Sequence, residues 1–354
     1  MTIAAERGQL DEDVTVTSAS WAEGPIPSIA ILISTFRRPQ WLDELVAALE
    51  AQELPLAEFE VVLVDNGSGD TTWDVLCRLV SGTPLRMLAV RLNDNHGPAR
   101  GRNAGAGHVR APLIAITDDD CLPSPQWVGE VRAAFADPAV HVVQGRVEAD
   151  PAHRDELGPW DHTIWVLQQT PFFETCNVAY RRAAYEAAGG FDETDPLLHP
   201  PSGKAFGEDA CLAWDVQAAG GNAAFADTAV VHHRVIPATY RRWLTDRRYL
   251  RDFPGLAKRT PLLAQYFTGG VFLDKDAVRF DAAVAGVLAA LASRRPWPLV
   301  ASIPYLRWRW GMALHHTKAR RVPGAALLAR YILGDAYALL AKLEGTVKYR
   351  RLLL

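Results

Sequence analysis

Ile114-Ala115-Ile116-Thr117-Asp118-Asp119-Asp120-Cys121-Leu122-Pro123 is the stretch on which the reading of this chain turns. A short apolar run reads as a buried strand, and it delivers three consecutive carboxylates to its C-terminal end. Three adjacent aspartates repel one another, so a folded chain gathers them where a cation can offset their charge. Alternation along an extended backbone puts Asp118 and Asp120 on one side and Asp119 on the other. One cation could then meet the first and third. Carboxylate oxygens suit hard divalent ions, here Mg²⁺ or Mn²⁺. The plain structural alternative is a solvated acidic turn before a helix that welcomes negative charge.

The strands on either side give the class. Ser28–Ser34 and Phe59–Val64 are near-continuous apolar runs, Leu85–Leu92 is a third, and helical spacing over Gln40–Gln52 separates the first two. Strands of that kind alternating with helices make an α/β fold: a doubly wound, mostly parallel sheet with helices on both faces. Ligands of such sheets sit at the carboxyl ends of strands, so Asp65 and Asp118 to Asp120 should face one crevice. Further on, Trp127–Phe135 reads as a helix, Val140–Val147 and Glu174–Tyr180 as strands, and Pro196–Gly207 as a mobile loop. Glu208-Asp209 opens another helix, and Ala223–Val231 is a last strand ending in His232-His233.

Three segments are expected: a mobile tail over 1–27, the α/β domain over 28–250, and a basic, mainly helical C-terminal extension over 251–354. Charge sharpens the contrast. Residues 232–354 carry 22 Lys+Arg against 7 Asp+Glu, and the remainder of the chain carries 15 against 34. A basic third beside an acidic body suggests an anionic partner, a membrane surface rather than nucleic acid because no nucleic-acid motif is present. Internal neutralisation is the alternative. Arginines interleaved with aromatics occur at Tyr240–Arg251, and arginines flank the apolar stretches Ala282–Ala292 and Leu299–Trp310. Four widely spaced cysteines, no signal-like start and no apolar run of about 18 residues point to a cytoplasmic protein, peripheral at most on the membrane's cytoplasmic face.

Six ordered features then resemble a known family. They are Ser34-Thr35-Phe36-Arg37-Arg38-Pro39; Asp65-Asn66-Gly67-Ser68; Asn95-His96-Gly97 leading to Arg102-Asn103-Ala104-Gly105; Asp118-Asp119-Asp120; Asn177 followed by Gly189-Gly190-Phe191-Asp192; and Gly207-Glu208-Asp209 with a downstream His. Each is weak alone, but the ordered set over residues 28–250 resembles a family-2 inverting glycosyltransferase of the GT-A fold, with a DxD-type metal motif. The resemblance implies transfer of a sugar, with inversion, from a nucleoside-diphosphate donor to a hydroxyl acceptor that is a glycan, a lipid-linked glycan or a small molecule.

It also implies roles. Asp120 and His233 would bind the metal, with His232 leaving the register open by one residue. Asp65 would accept the imide N–H of a nucleobase, and Arg102, read as lying in a Gly-rich loop, would neutralise diphosphate oxygens. Thr35, Arg37, Asp118, Asp119 and Asn177 would complete the nucleotide-sugar site, with Arg37 and Arg38 lining the crevice. Asp209, with Glu208 beside it, would be the base, and Cys176 is read as packing. Two other readings stay open. A sugar-phosphate nucleotidyltransferase shares the architecture but would carry a Gly-rich basic loop directly after the first strand. A non-catalytic nucleotide-sugar or glycan binding module would not need the metal carboxylates and Glu208-Asp209 together.

Overall fold

The computed structural model describes residues 14–195, 197–198, 206–320 and 323–354. The loop expected over Pro196–Gly207 lies mostly outside them, as do residues 1–13. The described residues fall into two compact units. The first comprises those of Met1–Asp150, Ile164–Thr194 and Gly203–Arg234, and the second those of Pro151–Thr163, Asp195–Ser202 and Val235–Leu354. The division therefore comes at Arg234, before the expected position 250.

In the first unit the strands are β1 (Val14–Thr17), β2 (Ile29–Thr35), β3 (Phe59–Asp65), β4 (Arg86–Arg91), β5 (Leu113–Asp118), β6 (Cys121–Pro123), β7 (Val140–Ala149), β8 (Val178–Arg181) and β9 (Asn222–His233). They form one mixed sheet in the order β1-β4-β3-β2-β5-β8-β7-β9-β6. The run β4-β3-β2-β5 is parallel, β7 and β9 are parallel, and the other pairings are antiparallel. The helices are α1 (Pro39–Glu50), α2 (Thr72–Gly82), α3 (Pro98–Ala106), α4 (Trp127–Ala134), α5 (Arg182–Ala187) and α6 (Glu208–Ala218). Val14–Thr17, expected within a mobile tail, pairs antiparallel with β4 as the edge strand.

Both faces of the parallel part are covered, which is why its strands are near-continuous apolar runs; buried Glu60 of β3 is an exception, paired with Arg110. Ile29, Ile31 and Ile33 of β2 join Val61 and Leu63 of β3 in a core shared with Leu42, Leu45 and Leu49 of α1, Leu76 of α2 and Trp127 of α4. Leu32, Val62 and Val64 point the other way, against α3 at Gly105, where a Cβ would collide with Leu32 and Val64. The segment expected to be a Gly-rich loop is this helix. Its glycines permit close approach to the sheet rather than flexibility. A smaller departure comes at Thr175–Asn177, where a 3₁₀ turn delays β8 to Val178.

From β2 the chain moves outward to β3 and β4, then returns across β2 to β5. The reversal makes a topological switch point between the carboxyl ends of β2 and β5, which end in Thr35 and Asp118.

The second unit is helical: α7 (Tyr240–Asp246), α8 (Phe253–Arg259), α9 (Lys275–Ser293), α10 (Ile303–Arg320) and α11 (Gly324–Tyr349). Trp160, Leu327 and Tyr331 pack with Tyr240 and Trp243 in one cluster. Buried Asp335 of α11 accepts from Tyr305 Oη at 2.7 Å and from Arg309 Nε and Nη2 at 2.7 and 2.5 Å, with Arg247 at 3.7 Å. Arg251 stands 3.6 Å from buried Asp252. Part of the Arg/aromatic cluster over Tyr240–Arg251 thus holds the unit together. By length and composition α11 could cross a membrane, contrary to the sequence expectation. Its buried stripe, however, carries Asp335 and Lys342.

Candidate functional site

The end of β5 departs from simple alternation. The strand stops at Asp118 and the chain turns at Asp119-Asp120, so alternation no longer sorts the three side chains. The second and third aspartates, rather than the first and third, share a cation, and it is Arg38. Its Nη1 donates to Asp119 Oδ1 at 2.6 Å and Asp120 Oδ2 at 2.9 Å. Thr35 at the tip of β2 donates to Asp119 Oδ2 at 2.6 Å across the switch point. Burial still pushes the Asp119 carboxyl up to about 6, against the opposing pull of Arg38 and Thr35. The sequence reading placed Arg38 in the crevice without a task. Its position one residue before the helix-starting Pro39, on the loop after β2, was the available signal.

Asp118 takes a different partner, Arg102 Nη2 at 2.8 Å. Arg102, buried on α3, also stands 3.8 Å from Glu208 and over the Phe191 ring. Two carboxylates therefore already engage the arginine expected to hold diphosphate, although its buried Nε has no partner. Next to it, Asn103 ties two of the sequence features together. Its Nδ2 donates to Phe191 O at 2.7 Å, and its Oδ1 accepts from Phe191 N and Tyr185 Oη.

Strand pairing brings His233 rather than His232 beside the aspartates, since Cys121 of β6 lies opposite His233 of β9. His233 Nε2 comes within 3.7 Å of Asp120 Oδ1, the oxygen not held by Arg38. His233 Nδ1 lies 2.7 Å from Arg234 O. A carbonyl can only accept, so Nδ1 carries a proton and Nε2 is the ring nitrogen turned toward Asp120. Cys121 Sγ is 3.8 Å from Asp120 Oδ1, and ligand atoms of Asp120, Cys121 and His233 lie within 4.8 Å of one another. A carboxylate oxygen and an imidazole nitrogen converging in a buried niche fit a divalent ion. The Cys121 thiol is pushed well above its usual range by burial, so it flanks the niche in its neutral form. Sequence reading missed Cys121, whose only signal was its place directly after the aspartates.

At the tip of β3, Asp65 is 1% exposed, and its Oδ1 accepts from Ser68 N at 3.0 Å. Its Oδ2 is buried without a partner. Arg37, at φ +55°, donates from its backbone N to Ser68 Oγ and from Nε to Ser68 O, bracing the same loop. Asn177, expected in the nucleotide-sugar site, is engaged within the fold. Its Nδ2 donates to Arg146 O and Ala229 O, and its Oδ1 accepts from Trp127 Nε1, so the amide locks β7, β9 and α4 and keeps no donor for a ligand.

Glu208 and Asp209 open α6 after Gly207, which takes the left-handed conformation at φ +80°. Burial first, then the neighbouring Glu208, pushes the Asp209 carboxyl well above the ordinary range; Arg102 opposes the shift. Buried Tyr180, whose hydroxyl has no partner, senses the Asp209 charge.

Residues 30–189 match the family model described as glycosyl transferase family 2. The chain carries a glycosyl transferase family 2 domain. Over 119 residues it is 39% identical to validoxylamine A glucosyltransferase of Streptomyces hygroscopicus subsp. jinggangensis, covering 33% of this chain and 28% of that protein. Over 120 residues it is 28% identical to undecaprenyl-phosphate 4-deoxy-4-formamido-L-arabinose transferase of Klebsiella pneumoniae, covering 34% of this chain and 36% of that one. The matched segments thus span 28% and 36% of these two relatives. Among solved structures the chain is similar to the mannosyltransferase PcManGT from Pyrobaculum calidifontis, in complex with GDP-Man and Mn²⁺. The TM-score is 0.57 at 21% identity, covering 93% of this chain and 90% of that one. That likeness concerns the fold, a GT-A sheet with a helical C-terminal region. The family-2 match includes Asp65, Arg102, the three aspartates and Asn177, and ends before Asp209 and His233.

Arg38→Ala leaves Asp119 and Asp120 buried without their shared cation. Breaking a buried pair costs about 3–5 kcal/mol, and with Arg38 partly exposed we expect about 2–3 kcal/mol. The Asp119 carboxyl titrates higher in the folded chain than in the unfolded one, so folding favours its protonated form. The variant's deficit in thermal unfolding should therefore grow as pH rises above about 6 and shrink as pH falls through it. An equal deficit at both ends of that range would remove the Asp119 carboxylate as its cause.

Proposed function

We propose that the family-2 domain moves a sugar from a nucleoside-diphosphate donor to a hydroxyl acceptor, with inversion and dependence on a divalent metal. The observation that carries this is the orphaned Oδ2 of Asp65. A buried carboxylate oxygen without a donor is costly to leave unmade. At the carboxyl end of a parallel strand it offers an acceptor to the imide N–H of uracil, thymine or guanine.

The other groups support the same reading. Asp120 and His233 would hold Mg²⁺ or Mn²⁺, which when bound would offset negative charge building on the leaving diphosphate. Arg102 holds Asp118 and balances Glu208. It presents its cationic edge to anionic oxygens only if those contacts yield, which makes it a positioning group for the carboxylates first. Asp209 receives the acceptor's proton. In a single displacement the acceptor oxygen bonds to the anomeric carbon while the bond to the diphosphate breaks. The raised basicity of Asp209 suits that task at neutral pH. The acceptor is a glycan, a lipid-linked glycan or a small molecule; the names of two curated relatives carry validoxylamine A and undecaprenyl phosphate.

Thermal stabilisation by nucleoside diphosphates in the presence of Mn²⁺ tests the base-recognition step, since a ligand of the native state raises Tm. UDP, dTDP or GDP should stabilise the chain, whereas CDP and ADP, which lack the imide N–H, should not. Asp65→Asn should erase the difference. Equal shifts with all five diphosphates would move Asp65 out of base recognition.

A further inference from the structure

Large apolar side chains exposed to solvent are not spread evenly. Of the 22 among the described residues, ten fall between Val287 and Leu314, in the second unit. They line the end of a helical hairpin. At Gly286 the α9 backbone runs against Pro298, where a Cβ would collide, and beyond that point the two arms carry apolar residues outward. The chain reverses at Arg294, in the left-handed region at φ +55°, followed by Arg295 and Pro296. Leu291 on one side of the turn is 71% exposed, as is Trp297 on the other, and Val300 is 66% exposed. Along α10, Ile303, Trp310 and Leu314 recur at helical spacing and form an outward stripe. The opposite face of that helix is fixed by buried Tyr305, Arg309 and Ala313. The stripe is thus a held surface, not a frayed end.

Its charge is one-sided. From Ala282 to Gly334 the sequence has no Asp or Glu and eight Lys or Arg. Arg309 is paired with Asp335, whereas Arg294, Arg295 and Arg307 have no acidic partner among the described residues. Arg307 also borders a shallow groove along α10 lined by Arg279, Trp308 and His315. A soluble surface rarely combines a contiguous apolar patch with cations of one sign. An interfacial helix does, with tryptophan at the headgroup level and arginines on anionic lipid. A two-fold contact with a second copy would instead set these unpaired arginines against the same set on the partner.

We infer that the α9–α10 hairpin tip lies in the headgroup region of a bilayer rich in anionic lipid. The contact is interfacial, because the flanking helix α11 commits its Asp335/Lys342 stripe to packing within the unit. This surface is independent of the transferase reading, and its test measures no turnover.

Flotation of the full chain with vesicles of equal parts phosphatidylcholine and phosphatidylglycerol should show binding at about 0.1 M salt. Binding should fall at least about tenfold on pure phosphatidylcholine, and likewise at about 1 M salt, where the screening length shrinks to about 3 Å. Each arginine at an anionic surface contributes about fivefold, so Arg294→Glu/Arg295→Glu should weaken binding by about thirtyfold or more. Trp297→Ser/Val300→Ser should weaken it by at least about tenfold. All four positions are exposed, so an unchanged Tm checks that both variants fold. Absent binding by the unaltered chain would overturn the inference, as would binding by the variants equal to it. A concentration-dependent dimer lost in Trp297→Ser/Val300→Ser, with no vesicle binding, would make this face a contact between copies and overturn it too.

Discussion

Asp209→Asn is expected to lower glycosyl transfer by at least about a hundredfold while leaving donor affinity within a factor of two or so of the original. Asn fills nearly the same volume and keeps an acceptor oxygen for the Ala210 N–H that Asp209 Oδ1 now receives at 2.9 Å. It cannot take a proton. The acceptor hydroxyl must lose one as its oxygen bonds to the anomeric carbon, so the loss belongs in turnover and not in donor binding. The pH profile gives a second readout. Burial and the charge of Glu208 hold the Asp209 carboxyl above its ordinary range, so the ionised base forms only as pH rises through that raised value. Turnover should climb on the acid side at a pH above that of an exposed aspartate. Glu208→Gln removes the second-largest cause of the shift and should move that limb to lower pH. Donor titration by calorimetry beside saturated turnover separates the effects. A loss accounted for by weaker donor binding would place Asp209 among the binding groups.

The sequence made the parallel half of the fold readable, because a strand covered on both faces must be apolar along most of its length. β2, β3 and β5 meet that demand, and Asp65 and Asp118 mark their ends. The reading failed where a residue type has two physical uses. Gly101 and Gly105 signalled a loop by composition, yet they serve a helix pressed onto Ser34 and Leu32. Asn177 carried a motif position, but its amide is consumed between strands. Arg38 went unassigned because its task, joining Asp119 to Asp120, depends on β2 lying beside β5, a contact spanning about eighty positions that no local pattern encodes. Similarly, only the pairing of β6 with β9 chooses His233 over His232. Arg247 and Arg251 belong to the cluster read for an anionic partner, with internal neutralisation as the alternative; they turn inward toward Asp335 and Asp252.

Asp120→Ala is expected to abolish the metal-dependent part of donor binding. Asp120 Oδ1 and His233 Nε2 supply the two converging donors, and Cys121 cannot replace the carboxylate, because a soft sulfur suits Mg²⁺ or Mn²⁺ poorly. Asp119 is close in sequence, but Thr35 and Arg38 engage both its oxygens. Losing Asp120 therefore leaves an imidazole and a neutral thiol, a set with little affinity for Mg²⁺. Arg38 would remain, still paired with Asp119, and it adds positive charge near the niche. Some metal-independent affinity for a diphosphate should survive for that reason. Calorimetric titration of a UDP- or GDP-sugar with and without Mn²⁺ should show a large metal effect in the unaltered chain and none in the variant. His233→Ala should give a smaller loss of the same kind, since the carboxylate stays. If Asp120→Ala binds donor with the original metal dependence, the ion sits elsewhere, and the Asp120–His233 approach is a structural contact.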